Sequence, residues 1–239
     1  MKKIFYFIII LSVANTVFAQ NKKLTLYYPD STKVVNIAGL DSMVIFICGV
    51  SKVSYGGKDY NTVLIGDQCW LKENLDVGEM IQGASNQTNN SIIEKYCYGN
   101  NPANCSTYGG FYQWDEMMQY STTPGTQGIC PDGWHIPTLA EFETLKATVN
   151  NDGNALKAIG QGTGGGAGTN TSGFSALLTG LRSVYGDFNG LGFTTDFWSS
   201  TEYSITYYAI NLRLNRSGST INLLSSEKVN GHSVRCIKD

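Results

Sequence analysis

Charge is scarce in this chain. Lysine, arginine, aspartate and glutamate make up 15% of its 239 residues, against about a quarter in an ordinary globular domain. The balance is mildly acidic, -2 at pH 7. Without a basic excess, nucleic acid and anionic membrane surfaces are poor partners. Histidine is scarcer still. His135 and His232 stand far apart and there is no Cys-x-x-Cys pair, so zinc spacing is absent. Beyond residue 19 no stretch approaches about 18 unbroken apolar residues, which excludes an ordinary spanning helix there. Residues 160–173 are glycine-rich, but no Gly-Lys-Ser/Thr follows, so they are not a phosphate loop. A short helical stretch precedes them where a dinucleotide fingerprint needs a strand. They read as a flexible loop.

Neutral hydrogen-bonding residues fill the gap: 20 asparagines, 20 serines and 21 threonines. Such a surface is wet and uncharged. The first 19 residues read as a secretory signal peptide. Lys2 and Lys3 precede an apolar run from Ile4 to Val13, and Val17-Phe-Ala19 offers a small-residue cleavage site. Cleavage there removes two lysines and takes the formal charge from -2 to -4. No cysteine follows to take a lipid anchor. The expected product is exported, with no membrane insertion after signal removal, and resides in the periplasm, at the cell surface or outside the cell.

Six cysteines behind an export signal read as disulfides: Cys48, Cys69, Cys97, Cys105, Cys130 and Cys236. They allow fifteen pairings, and spacing alone does not choose among them. A Cys97–Cys105 bond would be a local clip. A Cys130–Cys236 bond would close nearly the whole second half of the chain.

Residues 20–47 look like a small leader of their own. Leu24–Tyr28 and Lys33–Ile37 are strand-like around the turn Pro29–Thr32, and Met43–Ile47 suggests a third strand. The main body follows over residues 48–239. Thr138-Leu-Ala-Glu141 is a capping box, and Leu139, Phe142, Leu145 and Val149 follow at helical spacing. A second helix is expected over Gly110–Met118, with Phe111, Trp114 and Met118 on one face. The Asn-rich stretch 78–107 reads as loop. In Tyr208–Asn215 the apolar residues alternate, as in a half-buried strand. Thr220–Leu224 and Ser233–Ile237 would complete an antiparallel meander. Two main helices followed by antiparallel sheets, behind a small hairpin, make the fold class α+β.

Six segments together resemble the Fibrobacter succinogenes major paralogous domain. They are Tyr60-Asn-Thr-Val-Leu-Ile-Gly-Asp-Gln-Cys-Trp-Leu-Lys-Glu-Asn-Leu75, Tyr108–Met117, Gly128–Phe142, Gly173-Phe-Ser-Ala-Leu-Leu178, Phe197-Trp-Ser-Ser-Thr-Glu202 and Gly231–Asp239. The similarity spans residues 48–239, and residues 24–47 resemble a leader that precedes such domains. The resemblance implies a C-type-lectin-like fold, of the branch that includes formylglycine-generating enzymes and sulfatase-modifying factors. Gly133-Trp-His-Ile-Pro-Thr-Leu-Ala-Glu-Phe142 parallels a segment of that branch. In such folds the chain ends meet in one sheet, which fits a Cys130–Cys236 bond. The expected set is then Cys48–Cys69, Cys97–Cys105 and Cys130–Cys236. The family implies export and, at most, a binding role.

Catalysis finds little support in the residues. A formylglycine-type oxidase needs a copper-binding cysteine pair near its last strands, where this chain has Cys236 alone. An iron oxygenase needs clustered histidines. Nothing places either histidine beside a strained serine turn. Calcium fares little better. Asp187-Phe-Asn-Gly-Leu-Gly192 begins like a calcium loop, but Trp198 stands where the pattern requires glutamate, and Glu-Pro-Asn and Gln-Pro-Asp are missing. The expectation is a non-enzyme with no cofactor or metal. Its function would be surface binding or adhesion to a glycan or cell-surface protein; the alternatives are a purely structural cell-envelope component and, third, an enzyme of the formylglycine-generating fold. The candidate ligand-binding residues are Trp198, Tyr203, Tyr207, Asn211, Arg213, Asn215 and Arg216. Aromatic faces beside neutral hydrogen-bonding groups suit sugars or extended peptides.

Overall fold

The computed structural model describes residues 46–204 and 207–239, and the backbone of residues 23–28 and 31–36. The expected signal peptide, and most of the expected third strand of the leader, lie outside the described residues. The chain divides into two compact units, Met1–Phe46 and Ile47–Asp239. In the first, β1 (Lys23–Tyr28) pairs antiparallel with β2 (Ser31–Asn36).

The second unit is α+β. Its N-terminal part is built of short pieces: the hairpin β3 (Val53–Tyr55) and β4 (Lys58–Tyr60), the hairpin β5 (Thr62–Ile65) and β6 (Gln68–Leu71), and the parallel pair β7 (Glu79–Met80) and β8 (Glu94–Lys95). Then come α1 (Pro102–Tyr108), β9 (Phe111–Tyr112), α2 (Trp114–Met117), β10 (Trp134–His135), α3 (Leu139–Thr148) and α4 (Gly153–Leu156). The rest is sheet: β11 (Thr179–Arg182), β12 (Phe188–Leu191), β13 (Thr194–Glu202), β14 (Tyr208–Asn215), β15 (Asn222–Glu227), β16 (His232–Ser233) and β17 (Ile237–Lys238). The larger sheet runs β12-β11-β13-β14-β15, with β16 joining β13 to β9. The smaller runs β10-β17-β6-β5.

The capped helix forms as its sequence requires. Thr138 Oγ1 accepts from the Glu141 amide, and Glu141 Oε2 accepts from the Thr138 amide. Phe142 and Leu145 then drop into a core with Trp70, Phe174, Phe197, Leu212, Leu214 and Ile237. Trp70 stacks on Phe142 and meets Phe174 edge-on, each at 5.8 Å. Such pairs add about 1 kcal/mol each beyond the area they bury.

All three disulfides are Cys48–Cys69, Cys97–Cys105 and Cys130–Cys236. The last joins the turn before β10 to the segment before β17, and β10 pairs with β17. It is the clasp of the smaller sheet.

Four expectations are corrected. The helix over Gly110–Met118 shrinks to Trp114–Met117, because Phe111 and Tyr112 instead pair with Ser233 and His232. Long-range pairing overrides helical periodicity there. Ser233–Ile237 is not the third strand of the meander. His232–Ser233 runs parallel to β13, and Ile237–Lys238 crosses to the other sheet. The stretch 78–107 holds β7, β8 and most of α1, whose signal is readable: Asn101 Oδ1 caps the Ala103 amide and Pro102 occupies the first turn. Residues 160–173 are not a slack loop. Gly166 is buried so close to the carbonyl of Arg216 that any Cβ would collide, and Gly164–Gly166 form a turn of 3-10 helix.

Three buried cations explain how so much irregular chain is held. Lys157 donates to the carbonyls of Gly166, Asn215 and Gly218. Arg182 donates to the carbonyls of Gly83 and Val229 and lies over the Tyr96 ring. Arg235 donates to the Phe174 carbonyl and Asn74 Oδ1, stacked 4.1 Å over Phe174. Each is at most 1% exposed. Their partners are loop carbonyls and amide oxygens, groups that would otherwise be buried without a donor. Burial pulls the Arg235 pKa down to about 9, opposed by the charge of Glu73.

Candidate functional site

The seven proposed ligand-binding residues separate into three places. Trp198 is fully buried. Its Nε1 donates to the Tyr112 carbonyl at 2.9 Å, and its ring lies 4.2 Å from that of His232. Asn211 is also fully buried, donating to Asp196 Oδ1 and accepting from Ser226 Oγ. Neither side chain reaches the surface, which corrects their assignment to a ligand face. Alternation correctly set Asn211 on the opposite side from Leu212. It did not reveal that this side is itself covered, by Ser226 and Arg213.

Arg213, Asn215 and Arg216 occupy a second place. Arg213 Nε donates to buried Asp196 Oδ1 at 2.7 Å. Arg216 lies 4.9 Å over the Phe193 ring, and its carbonyl accepts from the Thr163 amide in the glycine-rich segment. These residues are half-buried and serve their own end of the sheet.

Tyr203 and Tyr207 form the third place, 46% and 76% exposed. They sit at the opposite end of β14, and the Tyr203 amide donates to the Tyr208 carbonyl. Eight residues of strand put the two ends about 24 Å apart. Beside Tyr207 opens a cleft of about 550 Å³, lined by Asp115, Tyr207, Tyr208, Glu227, Lys228 and Val229. Tyr208 and Glu227 are direct partners across β14 and β15. Asp115 comes from α2, which reaches the cleft because the Trp114 amide donates to the Lys228 carbonyl. The Lys228 ammonium lies 4.1 Å over the buried Trp114 ring and pairs with Glu202. Asp115, its other carboxylate neighbour, stands 4.0 Å away and is 57% exposed.

Sequence reasoning found Tyr203 and Tyr207 but not Asp115, Tyr208, Glu227 or Lys228. The β14/β15 register alone brings Glu227 to Tyr208, and hairpin length is the only sequence signal for it.

Both histidines are committed to the fold. His135 Nε2 lies 2.8 Å from Glu141 Oε1, and Nδ1 lies 2.6 Å from Asp239 Oδ1. The Glu141 contact, then that of Asp239, holds the imidazole pKa above its usual value against burial. Burial tends to raise the Glu141 carboxyl, but hydrogen bonds from His135 and Thr138 together pull it below its usual value. His232 is fully enclosed and pushed down to about 4 by burial, which nearby Asp196 only partly offsets. Among the described residues neither of its ring nitrogens meets a hydrogen-bond partner, nor does Asp196 Oδ2. All six cysteines are in disulfides. Among the described residues no three His, Cys, Asp or Glu side chains are grouped to hold a metal, and no helix is long and apolar enough to cross a membrane.

No curated protein and no solved structure matches this chain. The family model described as the Fibrobacter succinogenes major domain matches residues 63–238, from β5 to the last strand and through both the clasp and the Tyr207 cleft. That match covers well over half of the sequence, and the chain belongs to the Fibrobacter succinogenes major domain family.

Proposed function

We propose that this domain is an exported, non-catalytic binding module of C-type-lectin-like type, acting in attachment at the bacterial surface. The ligand is a glycan or a surface protein, and contact is made at the Tyr203–Tyr207 end of the large sheet. One observation carries the reading. Exposed Tyr207 lines a cleft that also holds Asp115 and Glu227, with exposed Tyr203 nearby, while Trp198 and Asn211 are buried. Exposed tyrosines present a rigid apolar face with a polar tip, the chemistry of sugar and peptide recognition.

Several features favour binding over catalysis. His135 is held between two carboxylates, His232 is enclosed, and every cysteine is oxidised. Three disulfides fit an oxidising compartment outside the cytoplasm. β17 pairs with both β6 and β10 in the clasped sheet, which fits the lectin-like reading. No cofactor or calcium ion is needed, because the contact uses aromatic faces and hydrogen bonds.

The test is a glycan and surface-protein array probed with the folded protein and with Tyr207→Ala. Binding that disappears in the variant, with unfolding unchanged, supports the proposal. Absence of binding across both arrays contradicts it.

A further inference from the structure

The large sheet has two edges, and they are treated differently. At one edge, the Phe188 end of β12 is packed over. Tyr98 packs on Phe188 at 5.5 Å, and Gly83 fits beneath Phe188 so tightly that a Cβ there would strike its ring. At the other edge, β15 pairs with β14 alone among the described residues. An antiparallel edge strand turns alternate amides and carbonyls away from its partner. Proteins commonly guard such edges with lysine, proline or a bulge. The β15 sequence, Asn-Leu-Leu-Ser-Ser-Glu, has no lysine or proline, its one charge is Glu227 at the end, and Leu224 is 38% exposed on it.

Two surface clefts lie along this same edge. One is the Tyr207 cleft, which includes Glu227. The other, of about 400 Å³, lies between the end of α3 and Leu223. Leu223 and Glu227 are four residues apart on one strand, so they share a face. At the usual rise the two residues are about 13 Å apart, the spacing of side chains i and i+4 in an extended peptide.

Charge selects the ligand. Around the Tyr207 cleft stand three carboxylates, Asp115, Glu202 and Glu227, against the one ammonium of Lys228. Lys228 is 12% exposed and already paired with Glu202 over Trp114, so its charge is used internally. Asp115 and Glu227 remain directed at whatever enters, beside the exposed ring of Tyr207. A carboxylate pair next to a tyrosine face suits a cation.

Resting on the binding-module reading above, we infer that the ligand is an extended, basic polypeptide segment that adds as a strand to β15. One of its lysine or arginine side chains enters the Tyr207 cleft. Main-chain hydrogen bonds to β15 supply affinity, and the two clefts supply specificity at every fourth residue.

The probe is the capped heptapeptide Thr-Lys-Thr-Val-Thr-Lys-Thr, whose lysines are four apart in either direction of pairing. Its titration into the full chain is followed through backbone amide signals. The expected result is perturbation centred on Asn222–Glu227. Binding should weaken at least about tenfold in the double variant Asp115→Asn/Glu227→Gln, in about 0.5 M salt, and on N-methylation of alternate peptide bonds. The same peptide with glutamates for lysines should not bind. Equal binding of the glutamate peptide overturns the inference, as do amide changes confined to another surface. Self-association that blocks the peptide would put a second copy of the chain in the groove and also overturn it. Glycan binding lost in Tyr207→Ala, with no response to the peptide, overturns this inference and leaves the binding module standing. No response to either ligand overturns both.

Discussion

The two ends of β14 are built from the same strand and differ in what their side chains are used for. At the Asn215 end, Lys157 gathers three carbonyls, the glycine-rich segment closes over Arg216, and Arg216 lies along Phe193. At the Tyr208 end, Tyr203, Tyr207 and Glu227 face solvent and Lys228 is neutralised from within. Polar residues at the first end satisfy buried backbone. At the second they leave charge and aromatic surface unspent. The difference teaches that a polar aromatic strand is not uniformly exposed: its side chains are left unspent where the loops withdraw.

The largest expected effect lies in the clasp. Its 106-residue separation closes the longest loop in the chain. The double variant Cys130→Ala/Cys236→Ala should lose about 4–5 kcal/mol, against roughly 2–3 kcal/mol for Cys97→Ala/Cys105→Ala. Denaturant unfolding of the two variants gives the ranking, and equal losses would break it. Next comes the closed end of β14. Lys157→Met removes the donor to three enclosed carbonyls and should cost about 3 kcal/mol. A neutral result would mean that the glycine-rich segment holds itself.

Acidity sharpens the comparison further. His232 has a folded-state pKa of about 4, below its ordinary value of 6.5. The unfolded chain therefore takes up the proton first, and stability falls as pH drops from 6.5 to 4, by about 3 kcal/mol in all. His135 has the opposite sign. Its pKa is raised, so its contribution is complete below pH 6.5 and is lost as pH rises through the folded-state value. Glu141, held below its usual value, adds stability that fades as pH falls through the acid range. Unfolding measured from pH 4 to 9 should show a maximum. His232→Leu should flatten its acid side, and His135→Gln should flatten its alkaline side. The smallest expected effect on stability is at the open end. Tyr207→Ala should shift unfolding by no more than about 0.5 kcal/mol, while abolishing binding to the surface.

Much of the domain is legible in local pattern. The capping box at Thr138 and Glu141 and the alternation through Leu212 and Leu214 are short-range signals, and each meets its expected element. The rest depends on partners distant in sequence. Phe111 has helical spacing to Trp114 yet becomes a strand, because Ser233 is there to pair with it. Nothing near Arg182, Arg235 or Lys157 in sequence announces the carbonyls that enclose them. The candidate site follows the same rule. Tyr207 is visible as an aromatic near a turn, but Asp115 reaches it only through the Trp114–Lys228 backbone bond.

Native-state amide exchange tests the contrast between the two ends of β14 most directly. The account predicts that the amides of Gly166 and Gly168, bonded to Thr163 and Gln161, exchange nearly as slowly as those within β14. The outward amides of β15 between Asn222 and Ser226 should exchange close to the unprotected rate. Rapid exchange throughout 160–168, or full protection along β15, would contradict it.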